Sequence, residues 1–259
     1  MTLRVVYRAC GSSNTKKRPP FFSKTACLAS FLRSVTDVSD VDLVFLCDGD
    51  MPDRAIESMA AFGEVSRLPG IGNSRSYLAA LERALMLGRD DDLLYLCEDD
   101  YLYVPSAFEE LVRAAKDVPQ GTYLTLYDHP DRYTRTDDAR TPGQPVAVFG
   151  DRHWRRVEST NMTFAVGTAT LRPDQPVHQL FARYSSYPHD RAMWRTLQAL
   201  GVRRPLSLIR PRRQLFGAVP TLATHVEQQQ LAPLVDWQEV AHKSLAWASD
   251  GPLSAVDGW

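Results

Sequence analysis

The first hundred residues alternate short apolar runs with segments of helical periodicity, and this alternation constrains the fold more than any other feature. It is typical of a parallel β-sheet with helices on both faces. The predicted strands span residues 3–10, 41–47, 64–68 and 93–97, and the predicted helices span 23–35, 53–62 and 74–87. In open sheets of this kind ligands bind beyond the carboxyl ends of the strands. We therefore expect functional residues at those ends.

The pattern changes after residue 105, where strands and polar loops containing Pro and Gly replace the regular alternation. The predicted strands span 122–127, 146–149 and 160–166, and the predicted helices span 106–118, 190–200 and 237–247. This texture favours a mixed sheet rather than a further parallel repeat. We predict an α/β fold in one domain, 1–259, made of two halves, 1–104 and 105–259.

Composition excludes several classes of protein. The chain has 259 residues, 44% of them hydrophobic, and a formal net charge of −1. Balanced charge removes the basic surface expected of a nucleic-acid-binding protein. No apolar run approaches the ~20 residues that a transmembrane helix needs, and the four cysteines form no C-x-x-C pair. We expect buried, reduced thiols and a cytoplasmic protein.

Carboxylates follow two of the predicted strands with the same spacing. The stretch VFLCDGD (44–50) places Asp48 and Asp50 after one strand, and LYLCEDD (94–100) places Glu98-Asp99-Asp100 after another. Carboxylates gathered at one sheet edge repel one another and raise their own pKa values unless a cation or a hydrogen-bond donor intervenes. Mg²⁺ or Mn²⁺ would relieve this, because both prefer oxygen ligands. The alternative is a solvated acidic turn.

Other motifs carry less information. GIGNSR (70–75) begins like a dinucleotide-binding G-x-G-x-x-G sequence but has Arg75 at the third glycine position. There is no G-x-S-x-G or Walker A sequence. The arginine-rich segment 203–213 could hold phosphate or form a solvated loop, and the same choice applies to Lys16, Lys17 and Arg18 after the first strand.

Taken in order, the stretches FLCDGD, GNSRSYLAALERAL and LLYLCEDDYLYVPSAF resemble nucleotide-sugar-dependent glycosyltransferases of the GT-A fold, with E-D-D as their D-x-D-type motif. The stretches FFSKTACLASFL, TLYDHPDRY, TNMTFAV and THVEQQQLAPLVDW are similar to a group of bacterial GT-A-like proteins. This resemblance covers most of the chain. It implies a GT-A-like, Rossmann-type mixed but mainly parallel sheet flanked by helices, with a nucleotide-sugar-binding half and an acceptor-binding half.

The resemblance also implies roles for residues in the first half. Asp48 would contact the nucleoside, Asn73 or Arg75 would lie along the nucleotide, and Glu98 or Asp99 would face the ribose. The donor would be a nucleoside diphosphate sugar of the UDP or GDP type, and the acceptor would offer a hydroxyl group.

The same resemblance implies which residues bind the metal and which residue accepts the proton of the acceptor. Asp100 would bind Mn²⁺ or Mg²⁺, which neutralises charge on the departing diphosphate. His225 is the candidate second ligand, although a lone histidine in a loop is more often a surface or core residue. Asp190 matches the base of inverting members, and the alternative is that it caps a helix.

Three residues of TLYDHPDRY, Asp128, His129 and Asp131, offer carboxylates and aromatic neighbours to an acceptor or a donor sugar, unless they form only a polar turn. Two other functions remain open. A sugar nucleotidyltransferase would use a basic loop after the first strand, for which Gly11, Arg18 and Lys24 are candidates. A protein that binds a sugar or nucleotide without catalysis is the second.

Overall fold

The computed structural model describes residues 1–12, 16–134, 145–183, 189–200 and 212–249. Arg203, Arg204 and Arg210 of the arginine-rich segment lie outside these ranges. Among the described residues, no helix combines the length and the apolar character needed to cross a membrane.

The described strands are β1 (Leu3–Cys10), β2 (Val41–Asp48), β3 (Glu64–Leu68), β4 (Leu93–Glu98), β5 (Tyr101–Tyr103), β6 (Thr122–Thr125), β7 (Val146–Phe149), β8 (Arg152–Arg156), β9 (Phe164–Gly167), β10 (Gln214–Val219) and β11 (Ala223–His225). The described helices are α1 (Lys24–Val35), α2 (Asp53–Ala60), α3 (Asn73–Leu87), α4 (Ala107–Ala115), α5 (Asp131–Thr134), α6 (Thr168–Arg183), α7 (Asp190–Leu197) and α8 (Trp237–Ala248).

One nine-stranded sheet forms the centre, in the order β3-β2-β1-β4-β9-β6-β10-β8-β7. Strands β1 to β4 are parallel to their neighbours in this group, β9 runs antiparallel to β4 and β6, and β6 is parallel to β10. Strands β5 and β11 form a separate two-stranded sheet. The predicted class, a mixed and mainly parallel α/β sheet, is confirmed.

Both faces of the sheet are covered, as continuous apolar strands require. Side chains of β1 alternate between two cores: Tyr7 packs with Phe31 of α1 on one face, and Val6 packs with Leu81 of α3 on the other. Helix α1 begins where Ser23 Oγ accepts a hydrogen bond from Ala26 N at 3.0 Å. Neighbouring residues of β1 therefore contact different helices on opposite faces of the sheet.

The second half differs from the prediction in a strand, a helix and the position of one arginine. The strand predicted at 160–166 is β9, which begins only at Phe164. Helix α6 was not predicted, because Pro173 and Pro176 lie inside it and proline disfavours helix interiors. Arg213, predicted to lie in a phosphate-binding or solvated loop, is buried and bonds Asp174 through Nε at 2.6 Å.

The cysteines agree with the expectation of reduced thiols. All four are free, and Cys27, Cys47 and Cys97 are buried. Cys10 is only partly buried, because it ends β1 at the rim of a cavity.

Candidate functional site

The register of the sheet brings the strand-end carboxylates to the two sides of β1. Cys10 of β1 is level with Asp48 of β2, and Arg8 is level with Glu98 of β4. A cavity of about 820 Å³ opens at this edge, within the range of small-molecule sites. Its lining includes the predicted residues Asp48, Asn73, Glu98, Asp99 and Asp100.

Asp48 is held by backbone donors. Its Oδ1 accepts from Ile71 N at 2.7 Å and its Oδ2 accepts from Gly72 N at 2.9 Å. These amides directly precede helix α3, whose N-terminal end favours a negative charge. Asp48 therefore fixes the loop that forms one wall of the cavity.

Glycine is required at two points of this rim. A Cβ on Gly11 would lie 1.5 Å from the backbone oxygen of Asp50, so only glycine lets the loops after β1 and β2 approach this closely. Gly72 has φ +85°, a left-handed conformation that glycine adopts without strain. Both glycines shape the mouth of the cavity.

Glu98 and Asp99 are each paired with a basic residue. Arg8 Nη2 lies 2.5 Å from Glu98 Oε1, and Lys24 Nζ lies 2.9 Å from Asp99 Oδ2. Burial raises the pKa of Asp99 despite the neighbouring Lys24. The expected repulsion between the carboxylates is thus relieved in part by the chain's own cations.

Asp100 and His225 lie together although 125 positions separate them. His225 Nε2 is 2.9 Å from Asp100 Oδ2, and His225 Nδ1 is 2.8 Å from Gln230 Oε1. Each ring nitrogen therefore faces an oxygen atom, an arrangement that favours the protonated imidazole. Burial acts to lower the pKa of His225, but Asp100 raises it overall. In turn, His225 and Arg18 hold the pKa of Asp100 well below its usual range, against the effect of burial.

The acidic excess of the cavity suits a divalent cation. Its lining contains five acidic and three basic side chains, a formal charge of −2. Asp100 Oδ1 is buried without a hydrogen-bond partner, so one carboxylate oxygen is available for a ligand. Within the described ranges, no three His, Cys, Asp or Glu side chains are grouped to hold a metal. Mg²⁺ commonly takes only one or two carboxylates and completes its shell with phosphate and water, and the Asp100–His225 pair fits that smaller share.

A second cavity, of about 170 Å³, contains Asp190 and two other predicted residues, His129 and Asp131. Asp190 is the first residue of α7, and His189 occupies the N-cap position without a side-chain capping bond. Asp190 Oδ1 accepts from Arg191 N at 2.7 Å, so the carboxylate still contacts the helix end. Burial raises the pKa of Asp190 above its ordinary value, which makes it a better proton acceptor near neutral pH.

Tyr101 connects the two cavities. Its hydroxyl accepts from Asn161 Nδ2 at 2.9 Å, and Asn161 lines the second cavity. Its ring centroid lies 5.2 Å from that of His225, which bonds Asp100 in the first cavity. The two cavities are therefore neighbours.

Among the described residues, three predicted site residues line neither cavity: Asp128, Arg75 and His225, of which His225 contacts the first cavity through Asp100. Asp128 is 1% exposed and its carboxylate already accepts from Arg132, Arg155 and Tyr133. Arg75 is exposed on α3, whereas Asn73, two positions earlier, accepts from Arg8 Nη1 at 2.5 Å. Of the two candidates to lie along a nucleotide, only Asn73 lines the cavity.

Sequence reasoning gave no role to Arg8, left Arg18 open between a phosphate contact and a solvated loop, and offered Arg18 and Lys24 for the alternative nucleotidyltransferase. All three line the first cavity. The available signal was an arginine inside the apolar run VVYRAC and a lysine at the start of an apolar helix. A charge in such a place is buried only when a partner neutralises it.

No family model and no curated protein matches the chain. Among solved structures, CMP:2-keto-3-deoxy-manno-octonic acid synthetase complexed with CTP matches with TM-score 0.48 and 14% identity, over 84% of this chain and 89% of that chain. Mannose-1-phosphate geranyltransferase from Thermus thermophilus matches with TM-score 0.44 and 14% identity, over 84% and 74%. S. aureus TarS matches with TM-score 0.46 and 13% identity, over 84% and 36%. At TM-scores below 0.5, these similarities assign no function.

Proposed function

We propose that the chain is a glycosyltransferase that moves a sugar from a nucleoside diphosphate, of the UDP or GDP type, to an acceptor hydroxyl. The observation that carries this proposal is the pair of neighbouring cavities: one is lined by strand-end carboxylates whose excess negative charge suits a divalent cation, and the other contains Asp190. The first is lined only by residues 8–100 and the second only by residues 127–191. This supports a donor half and an acceptor half within one domain.

The donor would lie across the carboxyl edge of β1, β2 and β4. Asn73 and the wall fixed by Asp48 would border the nucleoside, and Glu98 or Asp99 would face its ribose. Asp100 and His225 would hold Mn²⁺ or Mg²⁺, which supplies charge neutralisation for the departing diphosphate. To ligate through Nε2, His225 must first give up its proton.

Asp190 would act as the general base. Its carboxylate takes the proton of the acceptor hydroxyl as that oxygen bonds to the anomeric carbon and the bond from this carbon to the phosphate oxygen breaks. The nucleoside diphosphate leaves with the electron pair, and the anomeric configuration inverts. His129 and Asp131, which line the same cavity, would orient the acceptor.

A donor panel tests this function. Purified protein is incubated with UDP and GDP sugars, with and without Mn²⁺, and release of nucleoside diphosphate is measured with water or simple glycosides as acceptors. We expect one nucleotide class to be turned over and to stabilise the fold thermally. Nucleotide binding without turnover of any donor would instead favour a non-catalytic binding protein.

Replacing the proposed base gives a residue-level prediction. Asp190→Asn should lower kcat about 100-fold or more, the range of general-base catalysis, while the Kd for the nucleoside diphosphate stays within about twofold. Asp151→Asn, an exposed aspartate with a weak ion pair to Arg113, serves as the control. Full activity of Asp190→Asn would remove Asp190 from the mechanism.

One observation favours a second candidate, a sugar nucleotidyltransferase. Gly11, Arg18 and Lys24, which such an enzyme would place on its basic loop, all line the first cavity. The two reactions release different products: a glycosyltransferase releases nucleoside diphosphate, and a nucleotidyltransferase releases pyrophosphate from a nucleoside triphosphate. Release of pyrophosphate with a sugar phosphate as co-substrate would show that the protein is a nucleotidyltransferase.

A further inference from the structure

Arg18 holds Asp100 from a segment that belongs to no helix or strand. Its Nη2 lies 2.8 Å from Asp100 Oδ2, its Nη1 donates to Val226 O at 2.6 Å, and its guanidinium lies 4.5 Å from the centroid of the Phe22 ring. The side chain lines the donor cavity. Arg18 is thus a cation on the carboxylate that is proposed to bind a metal.

The other two cations of the cavity are anchored differently. Lys24 lies in the first turn of α1, where Nζ donates to Cys10 O and, at 3.0 Å, to Ser12 O, in addition to its ion pair with Asp99. Arg8 projects from β1 and donates to Asn73 O at 2.9 Å and to Ser76 Oγ at 2.9 Å. These contacts hold the wall of the cavity together, so moving either cation would disturb the strand ends.

A divalent ion on Asp100 Oδ1, the oxygen without a hydrogen-bond partner, would neutralise the same carboxylate charge that Arg18 neutralises from Oδ2. Asp100 Oδ2 already accepts from both Arg18 and His225, and a metal on Asp100 makes the guanidinium redundant there. Released from Asp100, the guanidinium would remain beside the diphosphate because Val226 O and Phe22 hold it near the cavity. Guanidinium matches phosphate oxygens in geometry and charge.

We propose that Arg18 exchanges partners: it neutralises Asp100 in the free protein and binds the donor diphosphate once a metal occupies Asp100. This inference rests on the proposed function, because it takes the cavity to be a nucleoside diphosphate site. It assigns Arg18 as a donor-binding residue. It also predicts that Arg18, while bonded to Asp100, weakens metal binding there.

The test uses metal alone and then nucleotide. Binding of Mn²⁺ without nucleotide is measured by calorimetry and by the electron paramagnetic resonance of free Mn²⁺, in the wild type, Arg18→Gln and Arg18→Lys. Arg18→Gln should bind Mn²⁺ about tenfold more tightly, because its competitor is gone. Arg18→Lys keeps the charge and should stay nearer to the wild type. Arg67→Gln, which removes an exposed arginine paired with Asp53, is the control.

The second measurement is the Kd of UDP and of GDP at saturating Mn²⁺. For the nucleotide that binds the wild type, Arg18→Gln should weaken affinity about tenfold, since a guanidinium–phosphate contact is lost. The opposite signs of the two effects identify the exchange. If Arg18 had a purely structural role, Arg18→Gln would weaken both Mn²⁺ binding and nucleotide binding.

Mn²⁺ affinity that stays the same or falls in Arg18→Gln would overturn the proposal. If Arg18→Gln does not fold, a Mg²⁺ and nucleotide titration of the wild type, followed by the NMR signals of its arginine side chains, decides instead. The Arg18 signal should shift with Mg²⁺ and shift again with nucleotide, and an unchanged signal contradicts the exchange. Failure of both UDP and GDP to bind the wild type would count against the proposed function, while the Mn²⁺ result still judges the competition at Asp100.

Discussion

Strands β2 and β4 end in nearly the same sequence, LCDGD and LCEDD, yet their carboxylates have different partners. Asp48, the last residue of β2, accepts from two backbone amides of the loop before α3. Asp100, after β4, accepts from the side chains of Arg18 and His225 and keeps one oxygen without a partner. Nearly the same pattern thus carries one carboxylate held by backbone amides and another, two positions further along it, held by charged side chains.

The difference follows from what lies opposite each strand end. The loop before α3 presents its amide groups to Asp48, and a helix N-terminus has donors that need an acceptor. The segments around Arg18 and β11 present long, ionisable side chains to Asp100. Asp48 is therefore expected to support the shape of the site, and Asp100 to take part in its chemistry.

Asp100→Asn should produce the largest effect. We expect kcat/KM with Mn²⁺ to fall about 1000-fold, because the charge that holds the metal on the leaving diphosphate is lost. The measurement is donor turnover across a Mn²⁺ titration. Asp50→Asn, an exposed aspartate on the same rim, should change turnover less than about twofold. Equal losses in both variants would mean that the rim acts only through its total charge.

Asp48→Ala should lower the stability of the fold and leave metal binding nearly unchanged. Two amides lose their acceptor, so the free energy of unfolding should fall by about 2 kcal/mol, as measured by urea denaturation. The Kd for Mn²⁺ should remain within about twofold of the wild type, since Asp48 contacts the loop rather than the metal. A large loss of Mn²⁺ affinity with unchanged stability would erase the distinction between the two strand ends.

The sequence predicts the first half of the fold well because its strands are short, apolar and separated by clear helical patterns. Strands β1 and β3 have the predicted bounds, and α1 begins after the expected Ser23. Helix α6 was missed because its helical pattern contains two prolines, and its stability depends on packing against α3 that no local pattern reveals. Tertiary packing overrides local propensity in such cases.

In the candidate site, too, some residues can be predicted from local sequence patterns and others depend on tertiary contacts. The carboxylates are visible in the sequence because they end predictable strands. Their cationic partners are not, because Arg8, Arg18 and Lys24 reach them from separate segments of the chain. The approach of His225 to Asp100 came from the family resemblance, and its role as a ligand remains a prediction.

The smallest expected effect is the pH dependence of the Asp100–His225 contact, and it distinguishes this strand end from that of Asp48. The pKa of His225 is raised in the folded state, so its stabilisation is complete below about pH 6.5, the unfolded value, and is lost as the pH rises through the folded value. The pKa of Asp100 is lowered, so its stabilisation is present above about pH 4 and is lost as the pH falls through the folded value. The pair should therefore stabilise the fold most between about pH 4 and pH 6.5.

Urea denaturation across this range, in the wild type and in His225→Gln, measures the effect. Arg18, which pairs with Asp100, and Glu227, which lies beside His225 in the wild type, are present in both proteins. Mn²⁺ affinity should change in the opposite direction and rise with pH, since the metal and the proton compete for His225 Nε2. With rising pH, the contribution of the Asp100–His225 contact to stability should fall while Mn²⁺ affinity rises. No such opposition is expected for the contacts of Asp48, because its donors are backbone amides, which do not titrate. Parallel pH profiles for His225→Gln and the wild type would show that the imidazole carries no charge in the fold, and Asp100 would then depend on Arg18 alone.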